Sequence, residues 1–578
     1  MTKFVKQLLV LTMVLSMGHV FSQKTENDTL NTDVVNVVKP YTPTISDAFK
    51  IKETPNLNDS VTTAKKTVDY TIFSNPVAST FTPAKGKAAV VDKAEKERLF
   101  DNYASLGVGT YTTVVGELYL NHALNRTESL GGYINHHSSG GGIDGVLLDD
   151  GFINSKINLN YKKSLRDYSW NLEAGYQLQV YNWYGLSPNF FDQAFASGVD
   201  PKHAFNTIHV SGDVNFDDAI VDDGALLFRH FTDDQGSAEN RFAAKSGFDF
   251  QIGDHMLSGT VKLDYLSGSF DKGYYGTTAL KYSNFQVGFA PSYQIKNDDL
   301  TVDFGASFYY MNDLENSDSK FFIYPNIQAT YRLVDDVLIV YGGVTGGLIQ
   351  NSYYNFAQDN PFVSPTLLVV PTDQQYNGFV GLKGKVSNAM SYNIKGRYFA
   401  ENNKALFKNN LIKNYSGENA YDYGNSFGVV YDDVSTISLL GELNVDVNRH
   451  FTLGLKAEYF IYNMDRETEA WNLPDITGSL FMDYQIDTHW FAGVNLFYVG
   501  ERKAMYGLEG SLIPEETPTI TTLDSYFDAN ARVGYKINDQ FSVYVKANNI
   551  ANQDYQRFVN YPVQGIQFLA GLTYKFDF

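Results

Sequence analysis

Residues 566–578, IQFLAGLTYKFDF, decide the fold of this chain. Every second residue of this stretch is apolar or aromatic, and polar residues such as Gln567, Lys575 and Asp577 stand between them. Because successive side chains of a β-strand face opposite sides, the pattern predicts a strand with one apolar and one polar face. The same alternation returns in other stretches, at residues 257–265, 302–310, 437–447, 451–461, 527–537 and 541–547. The chain is therefore predicted to be all-β.

Two architectures, a soluble β-sandwich and a membrane β-barrel, give this alternation. The alternating stretches are about 9–14 residues long, which is long for a sandwich strand and matches a tilted bilayer crossing. Aromatic residues cluster at the ends of the stretches, as in the girdles at membrane interfaces, and the last stretch closes on Phe578. We therefore predict a transmembrane antiparallel β-barrel over residues 103–578.

The spacing of turns gives a strand count. Short polar turns are predicted at residues 125–128, 165–167, 217–223, 253–254, 296–298, 334–336, 387–389, 448–450, 487–489 and 538–539. Longer connections, rich in glycine and aromatic residues, lie between them at residues 185–203, 353–374, 404–425 and 503–523. Short turns at one end and long loops at the other are typical of outer-membrane barrels. With both termini at the short-turn end, the turns predict about 22 strands, or 20 if the turn at 217–223 is absent.

Composition excludes several functions. The 578 residues include no cysteine, so the chain has no disulfide, no thiolate metal site and no cysteine nucleophile. A formal net charge of −20 is unfavourable for binding nucleic acid. No HExxH, GxSxG or phosphate-loop motif is present, and the adjacent pair His136 and His137 is predicted to lie in a Ser/Gly loop. We expect no catalytic residues, no metal site and no cofactor, and an enzyme is disfavoured.

The N-terminal part of the chain differs from the rest. Residues 1–23 combine basic Lys3 and Lys6, a short apolar stretch and small residues near position 22, which predicts a cleaved secretory signal. Residues 24–102 contain spaced prolines and few aromatic residues, and are predicted to be an extended periplasmic segment. Because no other apolar stretch is long enough for a spanning helix, an exported chain of this kind is expected to be soluble or a β-barrel.

The last 54 residues, 525–578, resemble the end of a TonB-dependent receptor barrel. In that family a strand ending in an Asn-Asn-Leu-type triplet is followed by a tyrosine, a Pro-x-x-Gly element and a final strand that closes on phenylalanine. The matching positions are Asn548, Asn549, Ile550, Tyr555, Pro562, Gly565 and Phe578. A weaker likeness extends back to Tyr431, and the end of the leader is similar to leaders of the Bacteroidetes group. The resemblance implies an outer-membrane location, but no particular solute.

Family receptors carry a folded N-terminal plug inside the barrel. Only residues 24–102 are available here, and they have no glycine-rich plug-like pattern, so the plug is expected to be missing or strongly shortened. Within them, one stretch resembles a TonB box, a segment that a periplasmic partner captures by strand addition, and comprises Asp33, Val34, Val35, Asn36, Val37 and Val38. The alternatives are an ordinary apolar patch in a linker, a segment inside the lumen, or a site for another periplasmic protein.

The polar faces of the strands supply candidate lumen residues. Both signs of charge occur among them, at Lys383, Lys385, Lys395, Arg397, Glu442, Lys456, Glu458, Asp528, Arg532, Lys536, Lys546 and Lys575. They are expected either to pair as barrel lining or to tune the selectivity of a solute path. The last strand, through Tyr574, Phe576 and Phe578, is expected to be read by the barrel-assembly machinery.

Three functions fit the sequence. The favoured one is import of an unknown solute through a receptor-like barrel in contact with outer-membrane lipid, energised by TonB or another periplasmic protein. A plugless channel or porin is the first alternative. The second is a scaffold barrel that docks partners through residues 24–102.

Overall fold

The computed structural model describes residues 98–578, except 218, 253–254, 414–417 and 509–516. The chain divides into two compact units, Met1–Lys87 and Ala88–Phe578, and all described residues belong to the second. The predicted leader, the stretch that resembles a TonB box and the expected loss of the plug all concern residues outside the described ones. Within the described residues, no helix is both long and apolar enough to cross a membrane.

The described part of the chain is built almost wholly of strands. In chain order they are β1 (Asn102–Gly109), β2 (Val114–Ala123), β3 (Glu128–Ser139), β4 (Phe152–Ser164), β5 (Tyr168–Asn182), β6 (Lys202–Phe216), β7 (Val221–Asp233), β8 (Ala238–Ile252), β9 (His255–Phe270), β10 (Leu280–Lys296), β11 (Leu300–Asp313), β12 (Asp318–Val334), β13 (Leu338–Ile349), β14 (Thr372–Ser387), β15 (Met390–Asn409), β16 (Phe427–Asn448), β17 (Phe451–Met464), β18 (Ile476–Gln485), β19 (Trp490–Val499), β20 (Arg502–Tyr506), β21 (Thr519–Leu523), β22 (Tyr526–Lys536), β23 (Phe541–Asn548), β24 (Gln556–Phe558), β25 (Tyr561–Pro562) and β26 (Gln567–Phe576). Two short helices, α1 (Gln193–Ala196) and α2 (Tyr353–Asp359), lie in the connections that follow β5 and β13.

Twenty-two of these strands form one closed antiparallel barrel. Each barrel strand pairs with the next barrel strand along the chain. The first and last barrel strands, β1 and β26, also pair, with Leu106 opposite Leu572, and this pairing closes the barrel. The hairpins β20–β21 and β24–β25 are separate two-stranded sheets in the connections that follow β19 and β23. The predicted fold class is confirmed, and the count is 22 rather than 20 because the uncertain turn is real: β6 ends at Phe216 and β7 begins at Val221.

Nine barrel strands are longer than the predicted 9–14 residues, and two of them exceed this range most. β15 has 20 residues and β16 has 22, and they stay paired up to Asn409 opposite Phe427. A bilayer crossing needs only about 9–11 residues. The excess therefore extends past the membrane at the long-loop end, where these strands support the connection between them.

The outer surface of the barrel is apolar. On β26 the alternate residues Phe568, Leu572 and Tyr574 are all exposed, whereas Leu569 and Thr573 between them are buried. Exposed aliphatic side chains such as Leu106 and Val380 continue this surface around the barrel. A surface of this kind requires a hydrocarbon environment, because in water it would be a large uncovered apolar area.

A lysine in place of Leu572 should test this orientation. Leu572 lies near the middle of β26 and faces outward. A charge at the bilayer midplane costs about 2–4 kcal/mol. Unfolding in urea from lipid vesicles should therefore show a loss of this size for Leu572→Lys, whereas Leu572→Met should lose less than about 1.5 kcal/mol. Equal losses for the two variants would contradict the assigned lipid face.

The C-terminal strand also closes the barrel seam. The Asp577 carboxylate accepts a hydrogen bond from the Asp101 backbone N–H at 2.9 Å and lies 3.3 Å from Arg98. The rings of Tyr574, Phe576 and Phe578 follow one another with centroid distances of 5.5 Å. These three residues form part of an aromatic girdle at the short-turn end, and their recognition by the assembly machinery remains a prediction.

Candidate functional site: a capped, charged lumen

The predicted lumen residues all lie on barrel strands. On β14, the outward Val380 and Leu382 are exposed and alternate with the inward Lys383. The same relation holds for the whole set, which comprises Lys383 and Lys385 on β14, Lys395 and Arg397 on β15, Glu442 on β16, Lys456 and Glu458 on β17, Asp528, Arg532 and Lys536 on β22, Lys546 on β23 and Lys575 on β26. Their part in solute passage remains a prediction.

Many of these charges are paired along the wall formed by β14 to β17. Arg397 forms an ion pair with Glu458 and donates to the Ser438 hydroxyl at 3.1 Å. The Glu442 carboxylate accepts from the Asn393 amide at 2.8 Å and lies 3.5 Å from the Lys456 ammonium. Pairs of this kind hold inward side chains in defined positions.

Aromatic rings support other inward cations on this wall. The Lys383 ammonium lies 5.2 Å from the centroid of the Tyr341 ring, and the Lys395 ammonium lies 4.5 Å from that of Phe379. Both distances are within the range of cation–π attraction. Lys385, nearer to the short turn, is exposed.

The wall formed by β18 to β23 has the same mixed character. Arg532 donates to Asp483 at 2.6 Å, and Asp528 accepts from the Tyr555 hydroxyl at 2.9 Å. The Lys536 ammonium lies 3.4 Å from the Gln485 side-chain oxygen. The lumen therefore has a lining of both charge signs.

Connections at the long-loop end form an apolar core. We call the described residues of these connections the cap and define it as residues 183–201, 350–371, 410–413, 418–426, 500–508, 517–525 and 549–566. Large side chains from all five connections, and from strand ends beneath them, are buried together, including Trp183, Phe205, Phe231, Tyr353, Phe362, Val363, Tyr421, Phe427, Leu523, Phe558 and Tyr561. The main apolar core of the described chain thus lies where the loops converge, rather than along the barrel wall.

Tyr561 joins several cap connections. Its side chain is fully buried, and its ring stacks on Phe362 with centroids 3.8 Å apart. Burial raises the pKa of the Tyr561 hydroxyl well above its usual value, so the group stays protonated. The hydroxyl donates to the Asn425 carbonyl oxygen, and the Asn425 amide in turn donates to the Trp183 carbonyl oxygen at 2.7 Å. Four connections are linked in this way.

The cap is fastened to strands β7, β8 and β10 through α2. This helix follows β13, yet the Tyr353 backbone N–H at its first turn donates to Glu239 of β8 at 2.6 Å. The Tyr282 hydroxyl of β10 donates to the same carboxylate at 2.8 Å. Arg229 of β7 lies 3.7 Å from Glu239 and also 3.7 Å from the centroid of the Tyr354 ring. The connection therefore crosses the barrel mouth.

A buried charge network of this kind is stable only when it is complete. The Glu239 side chain is 1% exposed and that of Arg229 is 9% exposed. Removing one member of a buried pair leaves the other charge uncompensated, which is strongly destabilising. Two more contacts fasten the same connection, since Gln358 donates to Gln179 of β5 at 2.7 Å and the Pro361 carbonyl contacts the His203 ring at 2.7 Å.

The cap is not predicted by any pattern in the sequence. The signal that the sequence offers is the richness of the long connections in aromatic residues. The pairing of Trp183 with Tyr421, or of Phe362 with Tyr561, joins residues more than 190 positions apart. No local pattern encodes such contacts.

The histidine pair lies elsewhere than predicted. His136 and His137 are part of β3 rather than of a loop, so their side chains face opposite sides. The His136 ring lies 2.8 Å from the Ser155 hydroxyl, and the His137 ring packs against Phe152 with centroids 5.0 Å apart. In the part of the chain that the structure describes, no group of three or more His, Asp or Glu side chains could hold a metal ion.

Sequence comparisons find no relative: no protein-family model and no curated protein matches the chain. Solved structures do match. The ferripyoverdine receptor of the outer membrane of Pseudomonas aeruginosa, bound to ferripyoverdine, is 15% identical, with 84% of this chain and 72% of that chain covered and a TM-score of 0.60. The siderophore receptor PirA of Acinetobacter baumannii is 13% identical, with 83% and 81% covered and a TM-score of 0.61. The FrpB iron transporter of Neisseria meningitidis is 10% identical, with 83% and 82% covered and a TM-score of 0.63.

At these identities the likeness shows the fold alone. The neighbours are TonB-dependent outer-membrane siderophore receptors, so the resemblance found in the C-terminal sequence is confirmed for the barrel. The closed barrel and these neighbours together support an outer-membrane location.

Proposed function

We propose that this protein is a receptor-like barrel that takes part in importing a solute across the outer membrane. The observation that carries this proposal is the cap, which crosses the mouth of a wide barrel whose inner wall is charged. The neighbours of known structure are transport receptors, which supports import as the general role.

The cap also weighs against a plugless porin. Barrels of 16–18 strands already leave an aqueous channel, so an unobstructed 22-stranded lumen would conduct freely. Here an apolar core and a buried ion pair lie across the mouth at the long-loop end. A closed mouth fits a receptor that opens on demand better than it fits a passive pore.

We further propose that a periplasmic partner, TonB or another protein, supplies the energy through residues 33–38. The apolar, β-branched character of this stretch suits capture by strand addition. This part of the proposal rests on the sequence, because these residues lie outside the described ones.

Deleting residues 33–38 tests energised import. Cells that depend on the chain for uptake should lose accumulation of the solute, because a barrel without its partner-binding strand cannot be driven open. Radiolabelled ferric pyoverdine is the first probe, since one of the structural neighbours is bound to ferripyoverdine. Deletion of residues 77–82, six residues from the same segment, is the matched control and should leave uptake intact. Uptake that survives loss of residues 33–38 would exclude energised import through this stretch.

A further inference from the structure

A recess of about 520 Å³ lies in the inner wall between β6 and β11, near the base of the cap connection that follows β13. Small residues line its wall, among them Ala225, Ala243 and Gly288. A side chain at Gly288 would collide with the Tyr309 ring, since a Cβ atom there would lie 2.6 Å from it. The recess therefore depends on small residues at these inward positions, and its volume suits a small organic molecule.

Two lysines face each other directly in this recess. Lys245 of β8 is paired in register with Lys262 of β9, and both lie on the inward side of their strands. Like charges directly opposite in an antiparallel pair are unfavourable. Lys245 has one acidic neighbour, Asp223, at 3.8 Å, and Lys262 has no ion pair with any residue that the structure describes.

One carboxylate of the recess is already engaged. Asp264, also in the recess, accepts a hydrogen bond from the Arg241 Nε at 3.0 Å and forms an ion pair with that guanidinium. It therefore compensates Arg241 rather than the lysine pair. By contrast, Lys456 and Arg532 on other walls each have their own carboxylate partner. Asp213 also lines the recess and accepts a hydrogen bond from the Asn171 amide at 3.2 Å. Lys262 is thus the cation of the recess that has no ion pair with a described residue.

Apolar groups adjoin this positive site. Leu227, Leu348 and the Tyr309 ring line the same recess. A ligand that fits both features carries an anionic group next to an apolar body.

We propose that Lys245 and Lys262 form a binding site for a small organic anion, a carboxylate or phosphate carried on a partly apolar body. The two ammonium groups neutralise the oxyanion, and the aromatic and aliphatic wall covers the rest of the molecule. The inference deepens the proposed function, because it names the class of solute that a capped import barrel would hold beneath its cap.

Calorimetric titration of the full-length protein in detergent tests the site, with phenyl phosphate and inorganic phosphate as probes. Phenyl phosphate should bind, and more tightly than inorganic phosphate. Lys262→Gln and Lys245→Gln should each weaken phenyl phosphate binding at least tenfold. Lys281→Gln removes the same charge from an exposed position of β10 outside the recess, and should leave the affinity unchanged. Equal affinity in Lys262→Gln and the unmodified protein would show that the lysines are merely hydrated, and would overturn the proposal.

Unfolding in urea gives a second readout that does not depend on titration heats. Phenyl phosphate should raise the urea midpoint of the unmodified protein but not that of Lys262→Gln, and Lys262→Gln should be at least as stable without ligand because one repulsion is gone. Absence of both binding and stabilisation in a folded protein would refute the anion site. The import proposal can fail separately from the anion site. If anion binding persists but deletion of residues 33–38 leaves uptake unaffected, the site is retained and energised import is rejected.

Discussion

Replacing Glu239 with alanine is expected to release α2 from β8 in the barrel wall. The substitution removes the acceptor of the Tyr353 N–H and leaves Arg229 buried without its partner. Breaking a buried pair in this way costs about 3–5 kcal/mol. Because about 1.4 kcal/mol corresponds to a factor of ten, opening of α2 should become roughly a hundredfold to several thousandfold more frequent. Hydrogen–deuterium exchange at residues 353–359 measures this opening directly.

Two further variants make the result specific. Glu239→Gln keeps an acceptor oxygen but no charge, and should give an intermediate increase in exchange. Glu315→Ala removes an exposed carboxylate in the connection between β11 and β12, away from the cap, and should leave α2 unaffected. If Glu239→Ala folds and α2 exchanges as slowly as before, Glu239 does not hold the cap in place.

The second large effect is expected at Tyr561. Truncation to alanine removes a fully buried ring that stacks on Phe362 and contacts Tyr184 with centroids 4.8 Å apart. Loss of a buried aromatic side chain costs about 3–5 kcal/mol, and the remaining cavity lies where the cap connections meet. Limited proteolysis should then cut the cap connections rapidly. The barrel itself should persist, which the heat-dependent mobility of the protein in SDS gels can verify.

A conservative change separates the ring from the hydroxyl. Tyr561→Phe keeps the stacked ring and loses only the hydrogen bond to Asn425, an effect of about 1 kcal/mol. Its cap should resist protease almost as well as that of the unmodified protein. Equal resistance of Tyr561→Ala and Tyr561→Phe would show that the Tyr561 ring does not hold the cap together.

The barrel could be predicted from the sequence because its signals are local. Alternation identifies each amphipathic strand and assigns residues such as Lys383 and Arg532 to the polar face. Short polar turns such as 165–167 separate neighbouring strands. Counting these turns gives 22, which the strand pairing confirms.

Features that depend on long-range contacts could not be predicted in this way. The cap joins residues as distant as Trp183 and Asn425, and its aromatic residues resemble an interfacial girdle when they are read one segment at a time. The opposition of Lys245 and Lys262 follows from the register of β8 and β9, which alternation alone does not fix. Alternation shows which way a lysine faces, but only pairing shows what lies opposite it.

Planar-bilayer conductance of the chain lacking residues 24–97 tests the central claim, closure of the barrel by its own cap. This variant removes any contribution of the N-terminal segment and leaves residues 98–578, which contain the barrel and the cap. We expect this variant to form a barrel without steady conductance. A large, stable conductance in this variant would contradict closure by the cap.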